Sequence, residues 1–403
     1  MPSLGVVGEP RDYAPKHLVA SRTRAPGPRW GLPLLAVGLL VGIGGFVVLG
    51  PAGPGDGSTA TTLAAGEEIA VCTRASIEDR VGLVLVVGLP GVTEATDALV
   101  DELVAAGVGG VMLRDENIVD EEQAIELIEG LRYRLGEHLL VAIDDEGGRV
   151  ASMGALDQPI RSARTLARLG PEETEAFASE MGELASSIGV DWVFAPVVDL
   201  DDGDAQGVIG DRSFGTDPAE VSELATAFAD GLHAAGQAVT IKHFPGHGGS
   251  GDPHLGGAVD QSTLSELEAA DLIPFGVLID EGAEAVMVNH VSYPQIWGDR
   301  PASLVPEVYE RLRDQGFDGV AITDAIGMGA VHARYGFDLA PAMAVGAGAD
   351  AVLVTQGDQI GVLHRGLVDA VRSGELDEAR LDEAAGRMLA LRGQPSEGTV
   401  CPS

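Results

Sequence analysis

The chain has 403 residues, room for one large domain or two ordinary ones, and a formal net charge of −37. So negative a body repels polyanions, which excludes nucleic acid as a partner and makes anionic lipid a poor surface for it. The basic side chains are almost all arginine: Lys16 and Lys242 are the only lysines.

Residues 1–29 read as a basic cytoplasmic tail, because the first thirty positions hold Arg11, Lys16, Arg22, Arg24 and Arg29 against Glu9 and Asp12, which leaves −40 on the remainder. Positions 32–49 carry no charge, with Arg29 and Trp30 at their entry. At about 1.5 Å per helical residue such a run just crosses a bilayer core of about 30 Å. Residues 30–50 are therefore expected to form a single transmembrane helix, as an anchor or uncleaved signal, with the rest of the chain exported at the cell membrane. A cleaved signal would instead give a secreted protein, but the long basic region and the lack of a small-x-small site favour the anchor. Residues 51–70, rich in Gly, Ala, Thr and Pro, read as a flexible linker to a domain over 71–403.

From there, short apolar runs alternate with stretches whose apolar residues recur at three and four positions. The runs are 81–87, 110–113, 139–143, 192–198, 238–241, 285–288, 319–322 and 351–354, and helical periodicity follows in segments such as 95–106, 121–135, 172–188 and 219–235. Eight strands each followed by a helix predict a (β/α)8 TIM-like barrel as the single catalytic domain. A doubly wound sheet is the alternative, yet no glycine-rich phosphate fingerprint follows the first strand. Cys72 and Cys401 stand near the two ends of the predicted barrel, where an oxidising compartment would let them pair; otherwise they are free thiols, without a catalytic role.

Polar residues cluster where a barrel places its chemistry, at the C-terminal ends of strands. Asp144 ends the third run, Asp199 follows the fourth, Lys242 and His243 the fifth, Asn289 and His290 the sixth, and Asp324 the seventh. The densest stretch is Lys242-His243-Phe244-Pro245-Gly246-His247-Gly248, with Asp252-Pro253-His254 just beyond. An ammonium is a compact donor that fits against a hydroxyl where a planar guanidinium does not.

These segments resemble glycoside hydrolase family 3, in its single-domain bacterial β-N-acetylglucosaminidase form. The resemblance rests on Ile143 to Val150, Phe194 to Asp199, Ile209 to Gly215, the Lys242 run with Asp252 and His254, Pro301 to Leu304, and Gly316 to Gly319 leading to Thr323-Asp324. It implies a retaining mechanism with Asp324 as nucleophile. Retention ordinarily uses two carboxyl groups about 5 Å apart; here the resemblance implies His254, oriented by Asp252, as acid and base, and an imidazole titrates in the range such a role needs. It also implies that Asp144, Arg212, Lys242 and His243 hold the sugar's hydroxyls and N-acetyl group. Pro253 and Ala325 depart from the family pattern, the latter standing where a second aspartate is frequent.

The expected substrate is a glycan with terminal β-linked N-acetylglucosamine, peptidoglycan fragments among them, acted on by a monomer with no cofactor and no metal. Asp145, Glu146 and Asp211 read as solvated or structural, and Tyr293 and Trp297 as packing more than a sugar platform. His247 reads as shaping its loop, and His290 stands between packing and support of the site. Three other readings remain open at this point: phosphorolysis of the same glycosides, a non-catalytic wall-glycan-binding barrel, and a metal site built from His243, His247, Asp252 and His254. Against the last, the Lys242 ammonium would repel a cation.

Overall fold

The computed structural model describes residues 75–201, 207–247 and 257–393, which belong to the unit Ile69–Ser403. The basic tail, the apolar segment 30–50, the linker, Asp252, Pro253, His254, Cys72 and Cys401 all lie outside the described residues. Among the described residues no helix is long and apolar enough to cross a membrane.

Eight parallel strands form one sheet: β1 (Leu85–Gly88), β2 (Gly110–Leu113), β3 (Leu140–Ile143), β4 (Trp192–Val193), β5 (Ala238–Phe244), β6 (Ala285–Val288), β7 (Val320–Thr323) and β8 (Val352–Val354). Their order is β7-β6-β5-β4-β3-β2-β1-β8, and a parallel bridge between Ile322 and Ala351 joins its two ends and closes the cylinder. The predicted (β/α)8 barrel is thus the observed fold.

Three boundaries differ from expectation, one of them in β5, which runs on to Phe244 where the apolar run ends at 241. The first apolar run began at position 81, but 81–83 end a helix, α1 (Ile77–Leu83), which a Ser76–Asp79 capping box starts. In the fourth run the regular strand holds only Trp192 and Val193; Pro196 has no N–H to donate, and pairing with β5 continues through a separate parallel bridge between Val197 and Lys242.

The remaining helices are α2 (Ala98–Ala106), α3 (Glu121–Leu135), α4 (Ala163–Leu169), α5 (Pro171–Ile188), α6 (Pro218–Ala234), α7 (Leu264–Ala269), α8 (Leu272–Asp280), α9 (Pro306–Asp314), α10 (Gly329–Ala347), α11 (Ile360–Ser373) and α12 (Glu378–Leu391). α3 illustrates why they form. Asp120 caps the Gln123 N–H at 2.9 Å, Glu121 and Glu122 open the helix, Arg132 and Arg134 close it, and the buried Ala124, Leu127, Ile128 and Leu131 share one face.

Inside the cylinder, Val86, Met112, Leu140, Ala142, Trp192, Phe194, Met287, Ile322 and Leu353 form an apolar plug, with Met388 of α12 packed against it. The Trp192 and Phe194 rings meet edge to face at 4.9 Å, and the indole N–H donates to Thr240 at 2.6 Å. That bond satisfies the one polar group the indole buries.

The N-terminal rim is stapled by charge. Asp350, fully buried just ahead of β8, accepts from Arg313 of α9 at 2.5 Å, from Arg380 and Arg387 of α12 at 2.5 and 3.1 Å, and from the Ala321 N–H at 2.9 Å. Replacing a buried anion leaves its cations unpaired, so Asp350→Ala is expected to cost about 3–5 kcal/mol in urea unfolding. A loss below about 1 kcal/mol would contradict the staple.

Candidate active site

The opposite, C-terminal rim is built by strand parity. On β5, Thr240 faces the interior, where it meets Trp192, so Lys242 two residues on faces inward too. The register with β6 then shifts between Lys242 and Phe244, a bulge that lets His243 line the same cavity as Lys242. Both residues therefore lie within the strand, one step earlier than the sequence reading, which put them after it.

Lys242 is 2% exposed. Its Nζ donates to Asp144 Oδ1 at 2.7 Å and to Glu146 Oε1 at 2.5 Å. Arg212 grips the same Glu146 with both arms of its fork, Nε to Oε2 and Nη2 to Oε1, each at 2.7 Å. Burial would push the Glu146 carboxyl up, but Arg212 and Lys242 outweigh it and hold it below the ordinary carboxylate range. Burial likewise disfavours charge on Lys242 and Arg212, and their acidic partners reverse that, raising both.

Asp199, fully buried, orders the next layer. It accepts from His243 Nδ1 at 2.6 Å and from the His247 N–H at 2.8 Å. With Nδ1 so engaged, His243 turns Nε2 toward Arg212 Nη2, 3.3 Å away. Burial works against ionising Asp199, yet His243 more than compensates and its carboxyl sits low. Asn289 donates to the His243 and Gly246 carbonyls at 3.1 Å each, and fastens the end of β5 to β6.

Arg212 rides on a loop held by two other guanidiniums. Arg149 donates to the carbonyls of Gly207, Val208 and Ile209 at 2.6–2.9 Å, and Arg164 to those of Asp201, Gly210 and Ser213. Asp324 follows β7, its N–H donating to Val288 at 2.8 Å and its Oδ1 accepting from the Ala325 N–H at 2.7 Å. Burial would raise its pKa, but the imidazoles of His243 and His290 and the Ala325 N–H prevail, so this carboxylate is held ionised below its usual range. His290 bridges Ser303, at 2.6 Å, and the Ala325 carbonyl, at 3.0 Å, which steadies the turn that presents Asp324.

Asp324, Asp144, Arg212, Lys242 and His243 line one cavity of about 500 Å³, floored by Met112, Phe194, Met287 and Leu353. Polar groups converging over an apolar floor suit a polyhydroxylated ring with C–H faces. Five of the seven residues singled out from sequence thus come together, and the other two, Asp252 and His254, lie outside the described residues.

Glu146 and Asp145, expected from sequence to be solvated or structural, are both buried, and Glu146 is the anion at the centre of the cluster. On an extended chain Asp144 and Glu146 share a side and Asp145 takes the other, where it accepts from Gly147, Met153 and Gln158 and burial raises its pKa to about 6. Asp211 pairs with Arg149 at 3.4 Å. Tyr293 is buried edge-on to Trp297, its hydroxyl bonded to the Gly246 carbonyl, so it serves packing.

A family model, the glycosyl hydrolase family 3 N-terminal domain, matches residues 76–391. The chain belongs to glycosyl hydrolase family 3. This family 3 enzyme, a glycoside hydrolase, is 38% identical over 317 residues to a β-hexosaminidase of Stenotrophomonas maltophilia, covering 75% of this chain and 91% of that one. It is 36% identical over 337 residues to the β-hexosaminidase LpqI of Mycobacterium tuberculosis, covering 80% and 84%. A solved family 3 glycosyl hydrolase from Mycobacterium smegmatis superposes with a TM-score of 0.73 at 38% identity, over 78% of this chain and 97% of that one. A family 3 β-N-acetylglucosaminidase from a Paenibacillus species gives 0.74 at 32% identity, over 79% and 62%.

Neutralising the central anion would leave Lys242 and Arg212 facing each other, so Glu146→Gln is expected to lose about 3–5 kcal/mol of stability at pH 7. Because the folded pKa of Glu146 is depressed, its contribution is complete above the unfolded value near about 4.3 and is lost as pH falls through the folded value. The stability gap between the two proteins should therefore begin to narrow below about pH 4 and go on narrowing as the pH falls further. A gap that stays constant down to about pH 2 would contradict this origin.

Proposed function

We propose that the enzyme is a retaining β-N-acetylglucosaminidase that removes terminal β-linked N-acetylglucosamine from peptidoglycan-derived or related glycans. The observation that carries this reading is an ionised Asp324 set at the end of β7 in one cavity with Asp144, Arg212, Lys242 and His243. The β-hexosaminidases and the β-N-acetylglucosaminidase it resembles supply the sugar class.

In this mechanism Asp324 attacks the anomeric carbon as the glycosidic C–O bond breaks, and the departing oxygen takes a proton from His254, held by Asp252. The imidazole then removes a proton from water, which displaces Asp324 and releases the sugar with its configuration retained. Asp144, Arg212, Lys242 and His243 hold hydroxyls and the N-acetyl group. Each is already bonded on its inner side, so a substrate lacking a hydroxyl leaves a buried donor or acceptor unpaired. The reading includes a chain anchored by residues 30–50 with its barrel outside the cytoplasm, beside the wall from which such fragments come.

Release of p-nitrophenol from its N-acetyl-β-glucosaminide is expected to fall roughly 10³-fold or more in Asp324→Ala. In kcat/KM, which reports the first step, His254→Ala should lose little with that good leaving group and about 10²-fold or more with an alkyl aglycone that needs a proton, while kcat on the aryl glycoside falls because the second step lacks its base. The acid limb of kcat/KM, set by Asp324, should lie below about pH 4. Three proteins of equal activity would refute the assignment.

A further inference from the structure

The His243 ring stands between two groups of opposite hydrogen-bonding sense. On one side the buried, ionised Asp199 can only accept, so the hydrogen of the 2.6 Å contact belongs to Nδ1 of the imidazole. On the other side Arg212, which can only donate, aims Nη2–H at Nε2 from 3.3 Å, a bond that exists only if Nε2 keeps its lone pair. The ring is held in this orientation. Asp199 also takes the His243 backbone N–H at 3.2 Å, the His243 carbonyl accepts from Asn289 at 3.1 Å, and the His247 ring packs edge-on with centroids 5.7 Å apart. Nε2 is therefore the polar atom that His243 presents to the cavity it lines, and it presents it as an acceptor. The Arg212 bond is longer than the usual length of about 2.9–3.0 Å, so a closer donor can displace it.

We infer that Asp199 is a positioning residue that makes His243 an acceptor for a sugar hydroxyl, so that the site recognises this hydroxyl by its hydrogen, an assignment that rests on the proposed β-N-acetylglucosaminidase activity and deepens it. The N–H groups of Lys242 and Arg212 accept any lone pair, whereas a lone pair on Nε2 demands a donor. Asp199→Asn reverses that demand. Its amide oxygen can keep the His247 and His243 backbone N–H groups that reach Oδ1, while its NH2 takes the place of Oδ2 and faces Nδ1. The opposite orientation sets NH2 against two backbone N–H groups that cannot change, whereas an imidazole can move its hydrogen to Nε2.

The test uses the whole enzyme with p-nitrophenyl N-acetyl-β-glucosaminide and its analogues bearing fluorine in place of the 3-, 4- or 6-hydroxyl. Fluorine cannot donate, and its inductive effect on the reaction is common to both enzymes. Asp199→Asn should lower kcat/KM on the parent glycoside about 10²-fold, shrink the fluorine penalty at one position about tenfold, and leave the other two within about twofold. A merely structural loss lowers all four compounds alike; that result overturns the inference and leaves the glycosidase reading in place. Nitrogen-15 spectra of histidine-labelled enzyme near neutral pH, with His243→Gln to assign the signals, should show hydrogen on Nδ1 and none on Nε2, and the reverse in Asp199→Asn. Hydrogen on Nε2 of the unsubstituted enzyme overturns the inference even where the variant does not fold. If the unsubstituted enzyme cleaves none of these glycosides, the glycosidase reading fails, and this inference with it.

Discussion

Glu146, itself buried, accepts from Lys242 and from both arms of Arg212, and that triad fixes the working end of the barrel. Two cations so close would repel each other without an anion between them, and an anion at that depth would be protonated without the cations. Each makes the charge of the others tolerable. The result is a rigid scaffold that turns Lys242 toward Asp144 and Arg212 toward His243, with donors aimed into the cavity before any sugar enters. Such preorganisation is where a site of this kind gains discrimination, because no reorganisation is left for the moment of reaction.

The two rims of the cylinder use buried charge for different ends. At the N-terminal rim Asp350 gathers three arginines from α9 and α12 and locks the helical layer to the strands. At the C-terminal rim the equivalent investment leaves polar atoms facing an open cavity. Between the rims lies the apolar plug around Trp192 and Phe194, which separates the two networks. This division follows from parallel strands: all of them deliver their C-terminal ends, and the loops that can vary, to one face.

The barrel was legible because buried parallel strands read as uninterrupted apolar runs, and five of the eight runs lie within a residue of the observed strands at both ends. The departures have local causes: a Ser76–Asp79 capping box starts a helix ahead of the first strand, and a proline interrupts the fourth ladder. Lys242 stood out because it is nearly the only lysine, and His243 and Asp324 because they sit at strand ends. Glu146 did not stand out, since its partners are 66 and 96 positions away and an acidic triplet looks like a solvated edge. The two-residue alternation of an extended chain, which sets Asp144 and Glu146 on one side, was the signal available. Asp199 was noted by position only; its grip on His243 depends on a tertiary contact that no spacing rule encodes.

The central claim is that Asp324 forms a covalent bond to the sugar's anomeric carbon. A 5-fluoro N-acetylglucosaminyl fluoride pairs a good leaving group with a ring that slows the second step, so it accumulates the glycosyl-enzyme of a retaining glycosidase. Peptide mass spectrometry of the inactivated protein should then find a single adduct, on Asp324. An adduct on Asp144 or any other side chain, or turnover of the reagent with no adduct under any condition, would contradict the account.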